Sequence, residues 1–183
     1  MPVGNAFATA NFARLFVMER AKFRIEVANA FTSEELQSST VVLVGGPENT
    51  WSSFLTETLR FHIASQAGAD SKETVWIEDR KNPGRRDWSL STPSQNSGDI
   101  TDFAILGRVK DTRSGQWRVI ASGLNDVGTS VASRTLSDAN YMREITKHLP
   151  PGWASKNLEV VVSIKVTNSH KIDYPQLVAY EIW

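Results

Sequence analysis

Twice along the chain an apolar run ends in glycine and passes directly into the start of a helical pattern. Val41-Val42-Leu43-Val44 leads into Gly45-Gly46-Pro47-Glu48-Asn49, and the run from Gln116 to Ser122 leads into Gly123-Leu124-Asn125-Asp126-Val127-Gly128-Thr129. A run apolar on both faces needs cover above and below, as strands in layered α/β sheets have. Glycine frees the turn, and the Pro, Asn and Asp residues that follow suit the opening of a helix. These strand, turn, helix units predict an α/β fold: a Rossmann-like three-layer domain with helices on both faces of its sheet.

The remaining segments decide how that sheet is wired. Ala8, Phe12, Leu15 and Phe16 recur at helical spacing and predict a helix over 6–20 with one buried face. Phe23, Ile25 and Val27 alternate with Arg24 and Glu26, as in a strand with one wet face. Thr32-Ser33-Glu34-Glu35 matches a capping box at the start of a short helix. Val41–Val44 is expected to be a central strand, and Pro47 to sit in the first turn of a helix that buries Trp51, Phe54 and Leu55, with Leu59 on the same face.

Short strands follow at 60–63 and 74–78, joined by a polar loop. Residues 80–98, rich in Pro, Gly, Ser and Asn, read as a surface excursion in which Trp88 and Leu90 are candidates for one strand. The runs 103–109 and 116–122 flank Asp111-Thr112-Arg113-Ser114-Gly115 and predict a hairpin. Small residues from Thr129 to Ser133 open a helix suited to close packing, and Asp138 caps another that reaches His148. Pro150-Pro151-Gly152 stops it, and a second hairpin, 158–166 with 176–183, closes the chain. Two hairpins make the sheet mixed and partly antiparallel.

At 183 residues the default is one domain, 1–183, that buries roughly 70% of its unfolded surface. It reads equally as a piece excised from a longer protein. Lys plus Arg (20) equals Asp plus Glu (20), so no net field steers it to nucleic acid or an anionic membrane, and neither partner is expected. The cluster Arg80, Lys81, Arg85, Arg86 reads as a solvated loop. The absence of cysteine excludes disulfides, thiolate metal sites and a cysteine nucleophile. No stretch approaches the ~20 apolar residues of a membrane span and no signal peptide opens the chain, so a soluble domain is expected, cytoplasmic or periplasmic according to its parent.

Helix starts offer unpaired amides and a positive dipole end to an anionic or carbonyl-bearing group. If the two strands are parallel neighbours, both glycine loops open at one sheet edge, where α/β sheets commonly bind ligands. The candidate ligand-binding residues are therefore Gly45, Gly46, Asn49, Asn125, Asp126, Gly128 and Thr129, with Arg60 and Arg108 available to hold an anion. Gly128 in particular is expected to approach a ligand or the first loop closely. The blander reading is that the glycines only turn the chain and the Asn and Asp residues cap local amides. Neither loop matches a phosphate-binding or dinucleotide-binding glycine motif, so no cofactor is indicated.

Chemistry is less visible. His62, His148 and His170 lack metal-ligand spacing, no metal or catalytic residue is assigned, and no G-x-S-x-G elbow is present. Glu48 and Asp126 form a candidate acid and base pair across the loops, against a capping role for each. The closing run Val178-Ala179-Tyr180-Glu181-Ile182-Trp183 lacks the proline and lysine that protect edges, so it is either central or paired with another chain, as in a homodimer.

Ala28-Asn29-Ala30-Phe31, Val41 to Trp51, Asp102-Phe103-Ala104-Ile105, Ala121-Ser122-Gly123 with Gly128-Thr129, and Trp153 with Lys156-Asn157-Leu158-Glu159 occur in an order that resembles an uncharacterised bacterial domain family. In that family the domain forms the C-terminal part of longer regulatory proteins with winged-helix or helical-repeat regions and, in some, a membrane segment. The resemblance implies a sensor module and assigns no functional residue, and the family varies where this chain reads Gly45-Gly46-Pro47. The leading expectation is a noncatalytic ligand-binding or interaction module for a small polar or anionic ligand or a protein partner. The alternatives are a hydrolase or transferase acting on a nucleotide or glycoside, and a structural homo-oligomerisation domain.

Overall fold

The computed structural model describes residues 2–67, 73–90, 99–167, 169 and 171–183. Residues 68–72 of the loop expected between the first short strands, residues 91–98 of the 80–98 excursion and His170 fall outside them, while residues 64–67 and 73 extend those two strands. The core is a five-stranded mixed sheet of β1 (Val41–Val44), β4 (Ile100–Lys110), β5 (Trp117–Gly123), β6 (Leu158–Val166) and β7 (Gln176–Ile182) in the order β1-β5-β4-β6-β7. β1 runs parallel to β5 and every other neighbour is antiparallel. β2 (Phe61–Ala67) and β3 (Glu73–Asp79) form a separate antiparallel hairpin.

Alternation in β4 divides the core. Ala104 and Leu106 point to the face that holds Ala121, Val160 and Val162, where they pack with Phe12, Val131, Ala132 and Ile145 of helices. Phe103 and Ile105 point to the opposite face with Val161 and meet Phe61 and Ile77 of the β2–β3 hairpin. Side chains such as Ile105, Val161 and Phe61 are fully buried, worth roughly 1.5–3 kcal/mol each.

The first face is covered by α1 (Val3–Met18), α4 (Asp126–Ser137) and α5 (Ala139–Thr146). α4 comes close because its inner side is Gly128, Thr129, Ala132 and Ser133, all buried. A Cβ on Gly128 would lie 2.9 Å from the Phe103 carbonyl oxygen, a separation that only glycine permits. α1 lies on α4, with Asn11 Nδ2 donating to Ser133 Oγ at 2.9 Å. On the second face the hairpin takes the place expected of a helical layer, with the short α3 (Thr50–Thr56) against β2 and β1 and the short α2 (Ser33–Ser38) leading into β1. The α/β class and the mixed sheet therefore stand as expected, while the second cover is largely β.

Three local expectations are corrected. β1 is an edge strand, paired among the described residues only with β5, because burial on both faces comes from the layers above and below and says nothing of lateral neighbours. Phe23–Val27 pairs with no strand among the described residues, so its alternation has no ladder to enter there. α3 begins at Thr50 with Asn49 as its cap, so Pro47 precedes it in a tight turn closed by the Asn49 amide donating to Gly46 O at 3.1 Å. Its buried side is Ser52 and Thr56, whereas Phe54 is 59% exposed. The capping box at Thr32 and Glu35 forms as read, and both hairpins, β4–β5 and β6–β7, close where the turn residues placed them.

Candidate functional site

Since β1 and β5 are parallel neighbours, the two glycine loops emerge side by side at one sheet edge. They touch: a Cβ on Gly46 would lie 2.6 Å from Gly123 O. Polar groups within and between the two loops then close them. Gly45 N donates to Ala121 O (3.1 Å), Ser122 Oγ donates to Gly45 O (2.5 Å), and Gly46 N donates to Glu48 Oε1 (3.2 Å). Asn49 Oδ1 accepts from Trp51 and Ser52 amides, while its Nδ2 donates to Val44 O at 2.7 Å.

At the α4 start Asn125 Oδ1 accepts from Val127 N (2.8 Å), Thr129 Oγ1 accepts from Gly123 N (3.2 Å), and Asp126 Oδ1 accepts from Gly4 N of α1 (2.9 Å). The Gly128 amide donates to Asp102 Oδ2 at 2.6 Å, and Phe103 N donates to Asp102 Oδ1 at 2.7 Å. The anion that a helix start favours is thus supplied by the chain itself. Asp102 is fully buried, and burial pushes its carboxyl up to about 6 against the pull of those two amides. Glu48 and Asp126 act as caps here: Glu48 also accepts from Asn5 Nδ2 at 3.1 Å.

The two arginines lie elsewhere. Arg60 makes a bidentate pair with Asp79 (Nε–Oδ1 and Nη2–Oδ2, both 2.8 Å) and reaches Glu181 Oε2 at 2.9 Å. Its hydrogen bonds to Asp79 lead the upward shift of its own pKa and hold the Asp79 carboxyl well below the usual carboxylate range. Arg108, on the helix-covered face, donates through Nη2 to the carbonyls of Trp153, Ala154 and Lys156 (3.2, 2.8 and 2.7 Å) and borders an apolar cavity of about 270 Å³ beneath α1 and α5. The structure therefore joins the loop residues to one another but not to Arg60 or Arg108.

An open groove lies at the opposite end of the sheet. About 1050 Å³ in volume, it is bounded by Glu34 and Leu36 of α2, Phe54 and Leu55 of α3, the β4–β5 turn, and Arg60, Glu181 and Trp183. Arg118 of β5 also lines it and is only 2% exposed. Its Nη1 donates to Ser39 O at 2.7 Å and Trp117 O at 3.3 Å, its Nη2 donates to Ser114 Oγ at 3.5 Å and lies 3.6 Å from Asp111 Oδ2, and its Nε alone has no partner among the described residues. Burial lowers the Arg118 pKa, opposed by Asp111. Asp111 is itself engaged by the Arg113 and Ser114 amides at 2.8 and 2.9 Å, which hold its carboxyl low. Lys110 and Arg113 stand at the same groove.

Sequence reasoning missed Arg118, Asp102 and Glu159. The signal for two of them was a charge inside a buried strand: Arg118 interrupts Trp117–Gly123, and Glu159 follows Leu158 in a run of valines. Glu159 is fully buried, with Oε2 accepting from Phe61 N at 3.1 Å and Oε1 unpartnered among the described residues, and burial pushes it up to about 8. Neither Asp102 nor Glu159 lines the groove. Burial lowers His62, whose Nε2 lies 3.2 Å from Glu78 Oε2. Among the described residues no group of His, Asp and Glu is placed to hold a metal ion, and no helix is long and apolar enough to cross a membrane.

Compared with known proteins, the chain matches no family model, no curated protein and no solved structure.

Proposed function

We propose that this chain is a noncatalytic recognition module that takes a small polar or anionic ligand in the groove over Arg118. One observation carries the reading: a guanidinium that is 2% exposed, whose Nε has no partner among the described residues, lines an open cavity of about 1050 Å³. A buried cation with incomplete pairing is costly, and an anion entering the groove offsets that cost. Arg113 and Lys110 add positive charge at the rim, and Phe54 and Trp183 supply apolar surface for the rest of a ligand. Recognition is favoured over catalysis because the two carboxyls with raised pKa, Asp102 and Glu159, are sealed in the core away from this groove.

The test is calorimetric titration and thermal shift with inorganic phosphate, citrate and nucleoside phosphates, on the parent chain and on Arg118→Met and Arg113→Glu. At a hundredfold excess over its Kd, a ligand of this site raises stability by about 2.7 kcal/mol. Arg113→Glu, an exposed change, leaves the fold intact and weakens binding. If none of these anions stabilises the parent chain, or all three proteins respond alike, the groove is not an anion site.

A further inference from the structure

We propose that residues 23–27 are a self-pairing strand that joins two copies of this chain antiparallel about Ile25. The segment has the sequence of a strand and lacks one partner. Between Lys22 and Glu26 no backbone amide or carbonyl pairs with another backbone group among the described residues. Phe23, Ile25 and Val27 are 42%, 62% and 65% exposed, an alternating apolar row facing water. Such a segment is a template for strand addition.

A second copy is the partner because the segment is complementary to itself. Antiparallel pairing about a two-fold axis at Ile25 sets Phe23 opposite Val27 of the other copy and Ile25 opposite itself. It also sets Arg24 opposite Glu26, twice by symmetry. Arg24 and Glu26 already share one side of the chain, 3.6 Å apart, as extended backbone requires, while Nη2 of Arg24 also bonds Glu35 of its own chain and leaves Nε and Nη1 for a carboxylate across the pair. Opposite charges and paired apolar residues directly across strands each add roughly 0.2–1 kcal/mol in sheets, and a two-fold axis uses every such contact twice. A five-residue pair alone falls short of the roughly 1,000 Å² of a specific interface. Val17 and Met18 at the end of α1, 67% and 66% exposed and a few residues away, enlarge the apolar surface, and Phe23 is held against α1 by the Phe16 ring, 5.4 Å between centroids.

Sedimentation equilibrium up to about 1 mM decides it, since that range still detects weak association. The parent chain is expected to dimerise. Arg24→Glu makes a strand with two carboxylates and Glu26→Arg one with two guanidinium groups, so each variant repels its own copy and self-associates about tenfold more weakly. Mixing the two variants restores opposite charges across the pair, and the dimer returns as a heterodimer with amide exchange slowed at residues 23–27. A parent chain that is monomeric at 1 mM overturns the proposal. So do single variants that dimerise like the parent, which would place the contact elsewhere, as on the exposed edge of β7, and so does a mixture that gains no association over its components.

Discussion

Glu159 should make this protein less stable as pH rises through neutrality. Its carboxyl is fully buried on β6, across from Glu181 on β7, and the nearby Arg60 is engaged by Asp79 and Glu181. Burial therefore dominates, lifting the group from an ordinary 4.5 to about 8, with the Phe61 and Arg60 amides pulling the other way. Between those two values the native chain holds a proton that the unfolded chain has released, so the native state binds more protons and stability falls with rising pH. Relative to its value below pH 4.5, stability is progressively lost until the carboxyl ionises near 8. One pKa unit is 1.36 kcal/mol, so the loss between pH 5 and pH 8 is roughly 3–4 kcal/mol from this group. Glu159→Gln keeps an acceptor for the Phe61 amide and removes the titration. Urea unfolding of parent and variant at each pH unit, read as the difference between them, cancels the contributions they share, including that of Asp102. The variant starts lower near pH 5, by about 1 kcal/mol for its unpartnered amide, and gains on the parent as pH rises. Curves that stay parallel from pH 5 to 8 would refute the reasoning, because they require Glu159 to be charged in the fold at little cost.

Asp102→Asn leaves one of the Phe103 and Gly128 amides facing a donor, so the urea midpoint should fall by the equivalent of about 2–3 kcal/mol at pH 7, with faster amide exchange at the start of α4. Gly128→Asp places a Cβ 2.7 Å from Asp102 Oδ2 and a second carboxylate beside a buried one, costing upwards of about 3 kcal/mol in thermal unfolding. Gly115→Asp, in open space at φ +70°, should cost about 1 kcal/mol, and equal losses at the two positions would contradict the close approach of α4. Trp51→Phe removes the indole donor to Ala28 O (3.0 Å) and should cost about 1 kcal/mol in chemical unfolding while leaving the anion groove unchanged.

Local chemistry was legible wherever the reason for an element lies within a few residues. The capping box at Thr32, the Asn125 and Asp138 caps and the turn chemistry at Asp111 and Gly115 all act over two to four positions, and each appears where the residues stand. The same holds for the limits of β6 and β7, whose apolar runs coincide with the observed strands. The glycine loops were legible as a pair too, since parallel strands that each end in glycine meet at one edge.

Lateral order and the partners of buried charges were decided by the tertiary structure. Val41–Val44 reads as central because it is apolar on both sides, yet hydropathy records layers and carries no information on how many strands lie beside it. Phe23–Val27 alternates like a strand, but a ladder needs a second backbone, and the described residues present none to it. Asp102 and Gly128 are distant in sequence and meet only because α4 crosses the start of β4 closely enough for a carboxylate to occupy the helix start. That contact gives the α4 start an anion from within the chain at the edge where the residues invited a ligand, while at the far end of the sheet Arg118 lines an open groove bounded by α2 and α3. Sequence determines which groups want partners, through their charge, hydrogen-bonding capacity and period, and only the packing of elements far apart in the chain determines which of them are satisfied from within.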